Sequence, residues 1–495
     1  MVSHHPDVPG RLPQSGQPYG PGQPPQSGQS DVPGHPSPAA HAALSVEAHS
    51  IDFVPLTERY GTPRRLFTVW FSTNMTILGV ALGTLGVEAG LSFGWALIAL
   101  IVGNAAGTVF MAAHSAQGPQ LGVPQMIQSR AQFGVRGAAL PLLAVVVTYI
   151  LYCAANGILI QSVIGALLPI DPRASLVLFS AITVLVAFVG YELIHRLGAI
   201  LTVVSSLLFA TGAYLLWSHH TGSPQPPLNP AAPPHFTTAA FMLTATQAAA
   251  WSLSYGPYVA DYSRYLPPTV PTSKTFWYTG LGCFLGSLTV MAFGAYLAIL
   301  EPALSKDPGV GVAKLFGPAQ PLAQLIVLLG IVQGNVFNLY SAYMSTVTAF
   351  TAVRGMKRIR RIHKLQIMIA LIALSAVISI LANDHFQAYF ADALNAMIYL
   401  LVPWSAINLA DYYLVHHGKY NIAALYSSDA EYGAYRWKTI GVYCFGIAIQ
   451  TPFMDLSFYK GPVAQWLGCD IAWLPGLLLP GAIHLAISKA VTRRP

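Results

Sequence analysis

Charge is scarce in this chain. Of its 495 residues only 9% are Asp, Glu, Lys or Arg, while 54% are hydrophobic, and the mean hydropathy is +0.53. A soluble domain carries roughly 25% charged residues, so a water-covered surface is excluded for most of the sequence. Cysteine is rarer still. Cys153, Cys283, Cys444 and Cys469 lie far apart, the first three inside apolar runs, which excludes a disulfide framework or a CxxC metal site. GxxxxGK[ST] and HExxH are missing too, and no carboxylates pair at useful spacing, so neither an enzyme nor a bound cofactor or metal is expected. VGYE at 189–192 lacks the final glycine and the repeats of a carbonyl selectivity filter, which argues against a channel.

What is present is apolar length, and the chain reads as an all-α polytopic membrane protein. A helix needs roughly 20 apolar residues to cross the hydrocarbon core. About twelve spans are expected, at 67–90, 93–115, 138–168, 174–193, 197–218, 236–260, 276–300, 321–352, 365–382, 387–410, 438–457 and 469–488. Residues 1–60 stand apart. The stretch PQSGQPYGPGQPPQSGQSDVPGHPSP offers almost no large apolar residues, so this tail is expected to be disordered, with His4, His5, His35, His41 and His49 solvated. It has no apolar h-region, and no cleavable signal peptide is expected. Residues 61–488 form the transmembrane unit and 489–495 a short basic tail.

The net charge of +7 is topological. With the N-terminus inside, all of the 25 Lys and Arg residues except Arg173, Lys306, Lys314 and Lys460 fall in cytoplasmic segments, RGMKRIRRIHK (354–364) foremost. Both termini are therefore expected in the cytoplasm of a cell-membrane protein. Because the basic residues are dispersed among loops, no surface exists to hold a nucleic acid.

One span is interrupted, and a second carries similar polar and small residues. In WSLSYGPYVADYSRYLP (251–267), Gly256 and Pro257 break the sixth: proline removes an amide donor and its ring clashes with the carbonyl of Leu253. A break in hydrocarbon survives where it lines a polar cavity, and broken spans are how many transporters build a midplane site. The first span carries Ser72, Thr73, Asn74 and Gly79 at mid-depth, against Ser252, Ser254 and Gly256 in the sixth. Five helices separate their starts, the spacing of a five-plus-five inverted repeat, with two further helices at the C-terminus.

PYVADYSRYLP (257–267) resembles the signature of the nucleobase:cation symporter family, the purine/cytosine and allantoin permeases. So does PWSAINLADYYLVHHGKYNIAALY (403–426), while GVPQMIQSRAQFGVRG (122–137) and NVFNLYSAY (335–343) match in position. The resemblance runs from about Arg64 to Trp473. It implies a leucine-transporter-type fold and uptake of a planar heterocycle with H⁺ or Na⁺. Cytosine, adenine, uracil, allantoin, hydantoins and pyridine-type vitamins all fit that description. The alternative is a membrane receptor that keeps a transporter fold for sensing.

A nucleobase offers two π faces, whose stacking on aromatic rings is worth roughly 1–3 kcal/mol per base, and an edge that a primary amide reads well. Trp251 and Tyr255 precede the break, next to Gly256, and Gln247 lies one turn earlier. Tyr152 and Asn156, four apart on the third span, share a helix face. In the family a Trp stands where Tyr152 does. Asn156 suits either a substrate edge or an interhelical hydrogen bond. Gln333, Asn335 and Asn338 on the eighth span, with Asn74, complete the expected lining. Sodium users of the family carry a Ser/Thr pair where this chain has Gln333 and Gly334, so protons are the expected coupling ion. Gln333, Asn74, Glu88 and Asp392 are its candidate partners, the two carboxylates being either interfacial or coupled. Pro257, Asp261, Arg264 and Asp411 are expected to be structural or gating, Arg264 and the basic loops pairing with the aspartates.

This charge pattern predicts that the 223–235 loop is external. A cysteine placed at Ser223 is expected to react with an impermeant thiol reagent added outside intact cells, and one at Ser15 to be protected. The reverse pattern overturns the topology.

Overall fold

The computed structural model describes residues 52–189, 191–221, 236–354, 360–382 and 385–492. Most of the expected tail, the loop around Ser223, the middle of the 354–364 basic stretch and the last three residues lie outside these.

Two interrupted helices organise the bundle. The first span is α1 (Arg64–Thr73) and α2 (Ile77–Glu88), which meet at 65° across Asn74–Thr76. Thr76 is extended and its hydroxyl accepts the amide of Gly79, capping the free N-terminus of α2. The sixth span is α9 (Thr238–Leu253) and α10 (Gly256–Ser263). Pro257 sits in the first turn of α10, where its missing N–H has no intrahelical partner to lose.

Around them run α3 (Phe93–Ser115), α6 (Ala139–Gly165), α7 (Pro172–Val189), α8 (Tyr191–His220) and α11 (Thr272–Leu300). Then come α14 (Gln320–Arg354), α15 (Arg361–Ala382) and α16 (Phe386–Leu409), which continues as a π turn over Ala410–Val415. Ser92 caps α3 within a Gly-Leu-Ser-Phe-Gly string. Although its letters fit a hydrolase nucleophile elbow, a helix precedes it rather than the strand such an elbow needs. Short helices fill the connections: α4 (Gly118–Leu121), α5 (Gln125–Phe133), α12 (Pro302–Ser305) and α13 (Pro308–Lys314).

Eight helices among the described residues are long and apolar enough to cross a membrane, and α1 with α2 makes a ninth. The remaining expected spans are α9 with α10, α17 (Trp437–Ala448) and α19 (Trp473–Thr492, with Pro480 inside). The eleventh differs from its expected 438–457. Pro452 lacks an amide to continue the helix, and the chain turns instead into a hairpin of β1 (Asp455–Leu456) and β2 (Tyr459–Lys460), followed by α18 (Pro462–Leu467).

The helices pack at backbone distance. A Cβ on Gly103 of α3 would stand 2.0 Å from the carbonyl oxygen of Ala245 in α9, and one on Gly294 of α11 would stand 2.0 Å from that of Val80 in α2. Lipid tails give helices no hydrophobic drive to associate, and small residues supply dispersion contact in its place.

Residues 52–60, placed in the disordered tail by their position, belong to the folded unit. Val54 is buried and its amide donates to the Gly122 carbonyl at 2.9 Å, while the amide of Tyr60 donates to the Tyr265 carbonyl at 2.7 Å. Arg59 donates to the carbonyls of Val54 and Pro119, both at 2.9 Å. Gly122 turns the chain at φ +68°, and any Cβ there would strike the Arg59 guanidinium at 1.8 Å. The end of the bundle on which these residues pack is hereafter the tail face.

Candidate functional site

The two interruptions face each other and are joined by one amide. Asn74, fully buried in the first break, accepts the indole N–H of Trp251 at 2.7 Å and the hydroxyl of Tyr255 at 3.3 Å. Its own NH₂ donates to the Trp70 carbonyl at 2.7 Å and approaches the Cys283 sulfur at 3.7 Å. The Tyr152 hydroxyl bonds Ser254 at 2.9 Å, which in turn donates to the Trp251 carbonyl.

Beside this junction lies a cavity of about 500 Å³. Its walls are the α1–α2 break, α6, α8, the α9–α10 break and α14. Of the expected substrate residues, Tyr152, Asn156, Trp251, Tyr255 and Asn338 line it, as does Gln333. Gln333, Gly334, Phe337 and Asn338 form one stripe of α14 toward the cavity.

Other expected residues sit elsewhere. Asn74 is spent on the junction and lies behind the wall. Asn335 points off the stripe, its NH₂ on the Thr183 hydroxyl at 3.3 Å and its oxygen 3.5 Å from the Asn156 NH₂. Gln247 is buried in α9 away from the cavity, and Gly256 packs toward His114 and Trp404. Glu88 is exposed at the end of α2 near Thr84, Ser305 and Lys306. Asp392 accepts the amide of Ser457 at 2.9 Å and its hydroxyl, tying α16 to the hairpin. Neither carboxylate borders the cavity.

Trp251 and Tyr152 meet edge to face, with centroids 5.6 Å apart and planes at 90°. A planar ring can therefore stack on one of them while meeting the edge of the other. Sequence reasoning missed much of the aromatic lining: Tyr149, Tyr258, Tyr262 and Phe337. The signal was available. Tyr255, Tyr258 and Tyr262 repeat at i, i+3, i+7, as do Tyr149, Tyr152 and Asn156, each set on one helical face. Tyr262 stacks on Phe337 at 6.0 Å and 15°.

The two Asp-Tyr motifs converge on α5, where every residue from Gln125 to Phe133 is buried. Asp261 accepts the amide of Gln125 at 2.8 Å, putting its charge at the helix N-terminus. Arg264 reaches the Asp52 carbonyl at 3.1 Å and lies over the Tyr265 ring. Asp411, expected to pair with basic loops, is held by His484 at 2.9 Å and His416 at 3.1 Å. His416 lies only five residues beyond Asp411 on the same segment, whereas His484 on α19 approaches Asp411 only in the fold.

Residues 53–476 match the family described as permease for cytosine/purines, uracil, thiamine and allantoin. A protein named "Putative purine-cytosine permease YxlA" from Bacillus subtilis (strain 168) is 38% identical over 447 residues, 90% of this chain and 96% of the relative. The purine-cytosine permease fcyB of Emericella nidulans is 25% identical, over 90% of this chain and 89% of its own. Among solved structures, Mhp1, a nucleobase-cation-symport-1 family transporter, superposes with a TM-score of 0.70 in a closed conformation with bromovinylhydantoin bound. That match has 17% identity and covers 90% and 96% of the two chains. Its inward-facing conformation gives 0.72 at 16% identity, covering 91% and 95%. The likeness to Mhp1 is one of fold.

Removing the amide at the junction orphans two buried donors, at about 1–3 kcal/mol each. Asn74→Ala is expected to lower the thermal midpoint of the purified protein by several degrees, and Asn335→Ala by less. An Asn74→Ala protein as stable as its parent denies the junction this role.

Proposed function

The chain belongs to the family of permeases for cytosine/purines, uracil, thiamine and allantoin, and from that premise we propose that it is a symporter for a nucleobase or related planar heterocycle. It is a multi-pass membrane protein and a transporter rather than an enzyme. The observation that carries the finer reading is the cavity at two helix breaks, with aromatic faces from α6, α9 and α10 and amides from Asn156, Gln333 and Asn338. Such a lining suits a flat ring with donors and acceptors on its edge. In this reading Trp251 or Tyr152 stacks on the substrate and Asn156 reads its edge, while Asn74 holds the stacking residue in place.

The rest of the reading concerns topology and cycle. Twelve spans in a five-plus-five inverted repeat, with both termini cytoplasmic in the cell membrane, put the tail face inside. Alternating access then opens the cavity to one side at a time. Protons are the proposed coupling ion. Where sodium users of the family carry two hydroxyls, this chain has Gln333 and Gly334, and a stripped Na⁺ needs several well-placed hard oxygens.

Reconstituted protein is expected to accumulate at least one of cytosine, adenine, uracil, allantoin or a hydantoin saturably. Trp251→Leu keeps bulk but removes the π face, so apparent affinity should fall about tenfold or more. No saturable uptake of any of these compounds overturns the reading, and unchanged affinity in Trp251→Leu, Tyr152→Leu and Asn156→Ala overturns the map of the site.

Uptake is also expected to rise as external pH falls, to collapse with a protonophore, and to persist when choline replaces Na⁺. Strict Na⁺ dependence without a response to the pH gradient would reverse the choice of ion.

A further inference from the structure

Away from the cavity, the tail face holds a second buried polar cluster. Asp411 lies in the π turn that ends α16, and its carboxylate is 1% exposed. One oxygen accepts His484 Nε2 at 2.9 Å. The other accepts the Tyr420 hydroxyl at 2.7 Å and Gln132 Nε2 at 3.3 Å, with His416 Nδ1 at 3.1 Å. Three hydrogen-bond donors, with the His416 ring at ion-pair distance, converge on one carboxyl from α5, α19 and the connection after the π turn, which leaves its oxygens no room for a proton of their own. Asp411 is therefore an anion.

A buried anion needs a compensating charge, since removing one partner of a buried pair leaves the other uncompensated and strongly destabilised. The groups facing it are His416, His484 and Tyr420, with Tyr432 behind Tyr420. Arg130 of α5 is turned to the Leu425 carbonyl at 3.1 Å, and Arg436 lies over the Tyr432 ring. Compensation thus falls to a protonated histidine. His416 is 23% exposed at its side chain, so it meets water on the tail face while touching Asp411. The hydrogen bond to Asp411 raises its pKa above the ordinary histidine value, against burial and the repulsion of Arg436. Both histidines aim at the carboxylate rather than at a shared point, and no metal-holding group occurs among the described residues.

The cluster does not stand alone. Gln132 accepts the Asn408 NH₂ at 3.2 Å, and Asn408 accepts that of Gln117 at 3.0 Å. Gln117 accepts Gln125 Nε2 at 3.4 Å, which also lies 3.2 Å from His114 Nδ1. The His114 ring stacks on Trp404 at 4.6 Å and 14°, and both border Gly256 at the start of α10. The amide of Gln125 meets Asp261 near the other end of α10. Helix α5 is thus held at one end by Asp411 and at the other by Asp261.

We infer that Asp411, His416 and His484 form a proton-binding site whose occupancy is linked through α5 to the position of the half-helix α10. With the proton bound, the carboxylate and one imidazolium neutralise each other and α5 stays docked. When the proton leaves, Asp411 is an uncompensated buried anion, and admitting water on the tail face relieves it. Proton release and opening of that face then favour each other. The purpose of the site rests on the transport reading above, whereas its test does not.

Hydrogen exchange of the full chain in lipid nanodiscs, near pH 6 and near pH 8.5 and corrected for intrinsic rates, reads the linkage without any substrate. A histidine with a raised folded value stabilises the docked state fully below its unfolded value of about 6.5. That contribution is lost as pH rises through the folded value. Amides of residues 125–133 are expected to exchange at least about threefold faster at the higher pH in the parent. The pH difference should vanish in the His416→Gln/His484→Gln protein. A parent without a pH difference overturns the site, whether or not the double variant folds. A difference that persists in the double variant, or undiminished in both single variants, overturns it as well. A pH-dependent parent that takes up no heterocycle keeps the proton site and sinks only the transport reading.

Discussion

One side-chain amide ties the two interrupted helices together. In water the breaks at Asn74–Thr76 and Ser254–Tyr255 would be solvated, but within a bilayer each freed backbone group costs several kcal/mol unless the protein satisfies it. Asn74 uses three of its hydrogen-bonding positions inside the protein, on Trp251, Tyr255 and Trp70. Because Trp251 and Tyr255 are also cavity walls, the amide that stabilises the breaks sets the angle of the aromatic surface. Fold and site thus share one constraint.

Much of the fold was legible, because spans in lipid announce themselves by apolar length and breaks by proline among small residues. The interruption at Gly256 and Pro257 and the long helix over 139–165 came directly from those rules. The connector α5 shows where they stop. Its Gln125, Gln128, Ser129, Arg130 and Gln132 suit a surface helix, yet all are buried. They are buried because the ends of α3, α10 and α16 leave unpaired polar groups on the tail face, and α5 supplies their partners. The glycines and arginines of 122–137 suit a connector packed under the bundle, but they do not say which polar groups it meets there.

The site was legible by residue type and less so by direction. An asparagine in a membrane helix signals a polar contact, but whether the contact is to ligand or protein depends on which way the helix is rolled. Asn338 faces the cavity and Asn335 does not, although they are one turn apart. Asp392 illustrates the same limit. Its place near a helix end left its use open, and the hairpin that occupies it begins in residues expected to be helical.

The glycine contacts between α3 and α9, and between α11 and α2, carry a mechanical consequence. With a carbonyl oxygen seated against a Cα, neither helix of a pair can slip along the other without driving peptide into peptide. Glycine has no rotamer that can yield, so the contact acts as a detent rather than a bearing. Strain entering this part of the bundle is passed on whole to its perimeter, where larger and softer side chains can absorb it.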